Sequence, residues 1–451
     1  MNAQIKVAFL LDSFVIAGGV SVIIEHCHAL DGFNFEPFIV TQDCVSERGW
    51  HPAVKSLRVI NFAQARCIEF DVAIATWWKT CYELHKIRSR HYAYFVQSVE
   101  SRFYQSPTED FEKPLVTATY HLPVTFVTEA RWIRDYIRRL RPGASIFYVR
   151  NGIDKQIFNL GKSAELEPSN GPLRILIEGP LGVWFKGTTK AIEIASALPF
   201  PKRITLVTAS DVPDEIRHRV ESVFTKVPVT QMAEIYRNTD VLLKLSNVEG
   251  MFMPPLEAFH CGATAICSWV TGCDEYVQHG WNGFLTAPGD YDSIRRYFVL
   301  IDRDRRLLNF LRFNALATGV SWPSWQQSSR FMAAILEKIA RRQSSADMEA
   351  GLLIPALFRK SIDASERAAE VAELRAVLAQ RAAELAELRA ILAQRAAELA
   401  ELRAFREIIL SSGSYRLARK MTNLRQTWPI ETLRRIAPAR IKHFLKHRAI
   451  R

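Results

Sequence analysis

Leu245–Gly262 reads LSNVEGMFMPPLEAFHCG, and the fold follows from how this stretch is read. The apolar run Val241–Leu245 that leads into it predicts a buried strand, with Ser246–Met253 as the loop leaving that strand. Pro254-Pro255 then open a helix, because proline at a first helical position gives up only an N–H that had no partner. Glu249 stands in the loop and Glu257 in the first helical turn. The peptide N–H groups between them face whatever anion lies over the helix N-terminus. A carboxylate beside an anion site repels phosphate and therefore needs another task. Each of its oxygens can accept from one hydroxyl of a vicinal diol, the feature shared by ribose and by sugars. The residues suggest a site for a nucleotide-sugar diphosphate. The ordinary alternative is a glutamate that favours the helix dipole and a solvated Glu249-Gly250 turn.

Glu249, seven intervening residues, then Glu257-Ala258-Phe259 and Gly262-Ala263 resemble the signature of the GT-B glycosyltransferases of family 4. The Pro-Pro-Leu and Cys-Gly surroundings strengthen the likeness. It implies an α/β chain with two doubly wound, Rossmann-like domains. It also implies that Glu249 holds the donor sugar and Glu257 the nucleotide ribose. The amides of Gly250, Met251, Phe252 and Met253 would meet the diphosphate.

Toward the N-terminus, residues 5–11 alternate into a buried strand, followed by Gly18-Gly19 and an amphipathic helix from Ser21 to Leu30. Paired glycines between strand and helix let a backbone approach a bulky or anionic group, although a tight turn explains them equally well. No G-x-G-x-x-G is present, so a dehydrogenase-type nucleotide fold is not supported. Strand-like runs recur at Phe35–Thr41, Asp71–Thr76, Tyr92–Gln97, Thr125–Thr128 and Ile146–Arg150, a rhythm that predicts a doubly wound domain over 1–158. Ala73–Trp78 and Tyr94–Tyr104 are similar to the rhamnosyltransferase branch that builds bacterial surface glycans. That likeness implies an acceptor side at Gln97 and Glu100, with Glu100 a candidate general base and the departing phosphate its alternative. Ser98 and Ser101 stand where those proteins carry Asp and Pro. Asn151-Gly152-Ile153-Asp154 with Phe158 resembles the hinge into a second domain, and Asn-Gly after a strand is in any case a turn signal.

A polar, turn-rich linker at 159–172 precedes a second start: strand Leu173–Ile177, a loop from Gly179 to Gly187, helix Thr188–Leu198 and strand Ile204–Val207. Lys186-Gly187 at a helix start puts an ammonium near an anion site, although a solvated loop lysine is the commoner case. The resemblance implies that Lys186 meets the donor diphosphate, and Gly18-Gly19 would admit it from the first domain. Pro180 stands where the family carries an Arg. Thr264–Cys267 reads as another strand. Asp302-Arg303-Asp304 is a D-x-D within a charge run, best read as a solvated face rather than a metal site. Trp322-Pro323-Ser324-Trp325 and a helix to about Ile339 resemble the GT-B element that crosses back to the first domain. The second domain is expected at 170–324 and the crossing helix at 325–340, so the resemblance covers about 1–340. Such enzymes use a nucleotide sugar and a glycan or lipid-linked acceptor, retain anomeric configuration, and generally need no cofactor or metal.

After a linker at 341–365, residues 370–383, 384–397 and 398–403 repeat with a period of fourteen. Val371, Leu374, Leu378, Leu385, Leu388, Leu392, Leu399 and Leu402 fall on alternating three- and four-residue steps. That is a heptad seam, interrupted by Arg381 and Arg395, and it predicts a homo-oligomeric coiled coil over 366–408, roughly 65 Å long. The formal net charge is +12, and +10 of it lies in 411–451. Basic and apolar residues interleave there (Tyr415, Leu417, Trp428, Ile430, Phe444), which suits an anionic membrane surface. Nucleic acid is the rival partner for such charge, but no recognised binding fold accompanies it. No apolar run reaches the roughly 18 residues of a membrane span, and Asp12 breaks the only signal-like stretch. Seven scattered cysteines without a C-x-x-C fit a reducing cytoplasm. The expected protein is a cytoplasmic glycosyltransferase at the inner membrane face. A degenerate transferase serving as an assembly factor is the alternative.

Overall fold

The computed structural model describes residues 4–15, 17–42, 51–105, 111–162 and 166–342, together with Leu352, Arg359 and a set of positions between 380 and 420. Two parallel sheets organise it. The first is formed by β1 (Ile5–Leu10), β2 (Phe35–Thr41), β3 (Arg58–Asn61), β4 (Phe70–Ala75), β5 (Ser89–Val96), β6 (Thr125–Thr128) and β7 (Ile146–Tyr148), in the order β3-β2-β1-β4-β5-β6-β7. The second is formed by β8 (Leu173–Glu178), β9 (Lys202–Thr208), β10 (Ser222–Thr225), β11 (Val241–Lys244), β12 (Thr264–Ser268) and β13 (Gly283–Thr286), in the order β10-β9-β8-β11-β12-β13. In each sheet the order reverses beside the first strand, between β1 and β4 and again between β8 and β11. Open α/β sheets bind ligands at the strand carboxyl ends of such a switch point.

Strands buried on both faces read as apolar runs, and β1, β4, β8 and β11 carry them as Val7–Leu10, Val72–Ala75, Ile175–Ile177 and Val241–Leu243. The short edge strands carry it weakly, though β7 is still read as part of Ile146–Arg150. The sequence reading accordingly passes over β3, β10 and β13, whose residues are mostly half-exposed or lie beside a glycine turn. The core of the first sheet includes Phe9, Ile23, Phe95 and Val127, and it is closed by Met332, Leu336 and Ile339 of the helix Trp325–Ala340. That helix therefore belongs to the first sheet's layer although it follows the second sheet in the chain. Helices Met253–His260 and Thr188–Ser196 cover opposite faces of the second sheet, one with Leu256 and Phe259 and the other with Ile192 and Ala195.

The chain passes between the domains twice, and the two passages hold each other. Ile153 bridges Ser324, the Trp322 indole N–H donates to the Asn151 carbonyl at 2.8 Å, and the Arg150 guanidinium lies 4.4 Å from the Trp322 ring centroid. Asp302 accepts from Arg305 at 2.6 Å and Asp304 caps the helix Arg305–Ser321, so both acids of the D-x-D have structural partners.

Residues from 362 onward form a separate compact unit. Its described part includes continuous helix over 390–404, on which Ile391, Leu392, Leu399 and Leu402 are exposed, as is Leu388 just before it. Most other residues of the segment 366–408, over which a coiled coil is expected, and nearly all of the basic tail at 411–451, lie outside the described residues.

Candidate functional site

The second domain's switch point gathers charge. Lys186 ends a short turn of 3-10 helix, Trp184–Lys186, in the loop after β8. Gly187 follows with φ of +63°, and a Cβ there would lie 2.2 Å from the Leu245 carbonyl oxygen, so only glycine lets this loop pass the strand end. The Lys186 ammonium sits 2.8 and 3.0 Å from the two carboxylate oxygens of Glu249, in the loop after β11. Beneath them Lys244, the last residue of β11, is buried and pairs with the Glu178 carboxylate while donating to the Glu178 carbonyl at 2.9 Å. Although burial disfavours the charged form, Lys186 and then Lys244 hold the Glu249 carboxyl below its ordinary range.

Glu257, one turn into Met253–His260, accepts from the Tyr236 hydroxyl at 3.1 Å. Burial, with Glu178 next in weight, pushes its carboxyl up to about 7. The helix starts behind Phe252, a buried aromatic held at φ +62°. Left-handed backbone at a non-glycine residue costs about 1–2 kcal/mol and marks a loop whose course is set by its surroundings.

From the first domain, Gly18-Gly19 open the helix Gly18–Leu30, and the side chain of Gln97 lies against Gly19. Gln97 Nε2 reaches the Thr76 carbonyl at 3.4 Å, while its buried Oε1 has no hydrogen-bond partner. The Gln97 carbonyl in turn abuts Gly250. Gly19, Gln97, Gly250, Glu249 and Lys186, drawn from four separate loops, are therefore linked by a chain of contacts where the loops of the two sheets meet.

Glu100 is elsewhere. Its carboxyl is 0% exposed inside the first domain, where it accepts from Tyr94 at 2.7 Å and from Tyr120 at 3.0 Å. Burial pushes it up to about 8. Glu100, expected on the acceptor side and as a candidate general base, is thus enclosed by two phenols in this structure. Lys244, Glu178 and Glu129 were missed. A lysine closing the apolar run Val241-Leu242-Leu243 was the one available signal, because a lysine buried at a strand end requires a partner.

Comparison with known proteins bears on this cleft. Residues 215–315, which include Glu249 and Glu257 but not Lys186, match the family "Glycosyl transferases group 1". The chain is 31% identical over 103 residues to the serotype-specific mannosyltransferase WbdA of Escherichia coli. The match takes in 23% of this chain and 12% of that protein, so only a small part of the relative's length is spanned. Sucrose-phosphate synthase of Thermosynechococcus elongatus superposes with a TM-score of 0.61 at 15% identity, over 74% of this chain and 99% of that one. Anabaena Alr3699/HepE, in complex with UDP and glucose, gives 0.59 at 15% identity over 74% and 100%. The fold is GT-B. Where the loops of the two sheets meet, the group 1 segment and the Lys186 loop stand on one side and the loops after β1 and β5 on the other. No group of three or more His, Cys, Asp or Glu suited to a metal occurs among the described residues.

Proposed function

We propose that the chain is a glycosyltransferase that moves a sugar, rhamnose or another hexose, from a nucleotide-sugar donor to a hydroxyl of a growing surface polysaccharide or lipid-linked glycan. The observation that carries this reading is the seating of the Lys186 ammonium on both oxygens of Glu249 at the switch point of the second sheet. A donor spans such a site from ribose to sugar: Glu257 accepts the ribose hydroxyls and Glu249 orients the sugar. Lys186 and the amides of Phe252 and Met253 offset the charge that grows on the departing diphosphate, the Met251 N–H being turned to Glu129. Gly18-Gly19 leave room for that diphosphate on the first-domain side. With Glu100 enclosed, the departing phosphate oxygen is the group we assign to take the acceptor proton. Departure and attack on one face of the sugar then retain anomeric configuration, as in family 4, and the scheme invokes no metal.

A screen of nucleotide sugars by thermal stabilisation of the full chain tests this directly. A donor at a hundred times its Kd adds about 2.7 kcal/mol, a shift that a melting curve resolves. Stabilisation by one donor, followed by transfer to a glycan acceptor, supports the reading. Absence of stabilisation by every nucleotide and nucleotide sugar at millimolar concentration removes it. Two further parts of the proposal lie beyond residue 362. The exposed leucine seam associates with other copies of the chain, and the basic tail brings the enzyme to the anionic inner face of the membrane.

A further inference from the structure

One peptide unit of the donor loop, between Gly250 and Met251, is gripped at both polar ends by the other domain. Its carbonyl accepts from the Trp132 indole N–H at 2.8 Å. Its N–H, that of Met251, is directed at the carboxyl of Glu129, the residue after β6, which is 5% exposed. The other carboxyl oxygen, Oε2, accepts from Asn151 Nδ2 at 2.8 Å, and Asn151 opens the first passage between the domains. The fit leaves no slack: a Cβ on Gly250 would lie 2.8 Å from Glu129 Oε1 and 2.0 Å from the Gln97 carbonyl oxygen.

A carboxylate buried between two domains without a cation is costly, and here burial pushes the group up to about 8, with Glu249 and Glu100 adding to the effect. Near neutral pH the clasp is therefore largely uncharged. It can close between the domains without burying an ion, and a glutamine of the same shape keeps one acceptor for the Met251 N–H while its NH2 faces Asn151, whose buried Oδ1 has no other partner and can turn to accept.

We propose that Glu129 is a positioning residue: together with Trp132 it fixes the Gly250–Met251 peptide, and with it the adjoining Glu249, when the two domains close. That the fixed position is the working one rests on the transferase reading; the clasp itself does not. Hydrogen–deuterium exchange on the full-length protein tests it, following peptides that cover 245–256 against peptides from β1 and β8. Glu129→Ala should accelerate exchange in 245–256 by tenfold or more and leave β1 and β8 unchanged. Glu129→Gln, which keeps an acceptor for the Met251 N–H, should stay within threefold of the wild type. Exchange in 245–256 within twofold of the wild type for Glu129→Ala overturns the clasp, as does acceleration shared equally by β1, since that is ordinary loss of a core residue. Should Glu129→Ala fail to fold, Trp132→Phe removes only the indole donor. It should accelerate the same peptides, and unchanged exchange there overturns the proposal. None of these measurements uses a sugar donor, so failure of the transferase reading leaves their outcome untouched.

Discussion

Lys186 and Glu249 satisfy each other, so a donor must come between them. Lys186→Ala should lower transfer by about 10²-fold or more, since the ammonium meets charge that grows as the diphosphate departs. A loss below threefold in a steady-state assay would assign the diphosphate to other groups. Glu257 differs from Glu249 in that its carboxyl titrates near neutrality, pushed up to about 7 mainly by burial. A ribose diol needs two acceptor oxygens, and only the ionised form supplies both. Affinity for a nucleotide sugar, whose phosphates do not titrate in this range, should rise from pH 6 to pH 8. In Glu257→Gln calorimetry should find a flat profile and a loss of tenfold or more, the scale of a charge-assisted hydrogen bond of about 1.5–3 kcal/mol. Glu249 and Glu257 were legible because strand, loop and helix supply both within one continuous segment. Lys244 and Glu178 were not, because each acquires meaning only when β11 lies beside β8, 66 residues away in sequence.

Among the elements, the central strands and the helices that cover them were readable from apolar runs, and of the edge strands β7 was read while β3, β10 and β13 were not. β2 and β6 coincide with the runs Phe35–Thr41 and Thr125–Thr128 read from sequence. What no local pattern reveals is how tightly the two passages between the domains pack. Asn151-Gly152 reads as a turn, yet the demand on Gly152 comes from across the hinge: a Cβ there would stand 2.4 Å from the backbone N and Cα of Trp325. Backbone cannot swing aside as a flexible side chain can. Gly152→Ala should therefore push the start of the helix Trp325–Ala340 away from the hinge and destabilise the chain by about 1–3 kcal/mol, the usual cost of overpacking. A denaturant midpoint equal to that of the wild type would show that the two passages have room to separate.

At the scale of the whole molecule, two properties follow from groups that the cleft does not use. The first concerns assembly. The exposed seam from Leu388 to Leu402 gains little on a lone helix, so deleting 366–408 should convert an oligomer into a monomer by light scattering. Equal masses for the two proteins would reject the coiled coil. The second concerns pH. Glu100 and Glu129 are both raised from an ordinary 4.5 to about 8, by burial first of all. For an acid raised on folding, both states hold the proton below about 4.5 and stability is intact. Between 4.5 and 8 the unfolded chain sheds the proton while the folded chain keeps it, so stability falls as pH rises. The slope for each group is roughly 1.4 kcal/mol per pH unit across that window, and it flattens above 8. Carboxyls held low, such as Asp240 paired with Arg174, act in the opposite sense only in more acid solution. The melting temperature should therefore decline steadily from pH 5.5 to pH 8. Glu100 isolates the effect because it lies away from the cleft. Glu100→Gln can keep acceptance from both phenols, which donate to one and the same oxygen, loses the titration, and should melt along a visibly shallower pH profile, overtaking the wild type at the alkaline end. Parallel profiles for the two proteins would mean that Glu100 is ionised in the folded state and that its two tyrosines stabilise a charge rather than a neutral acid.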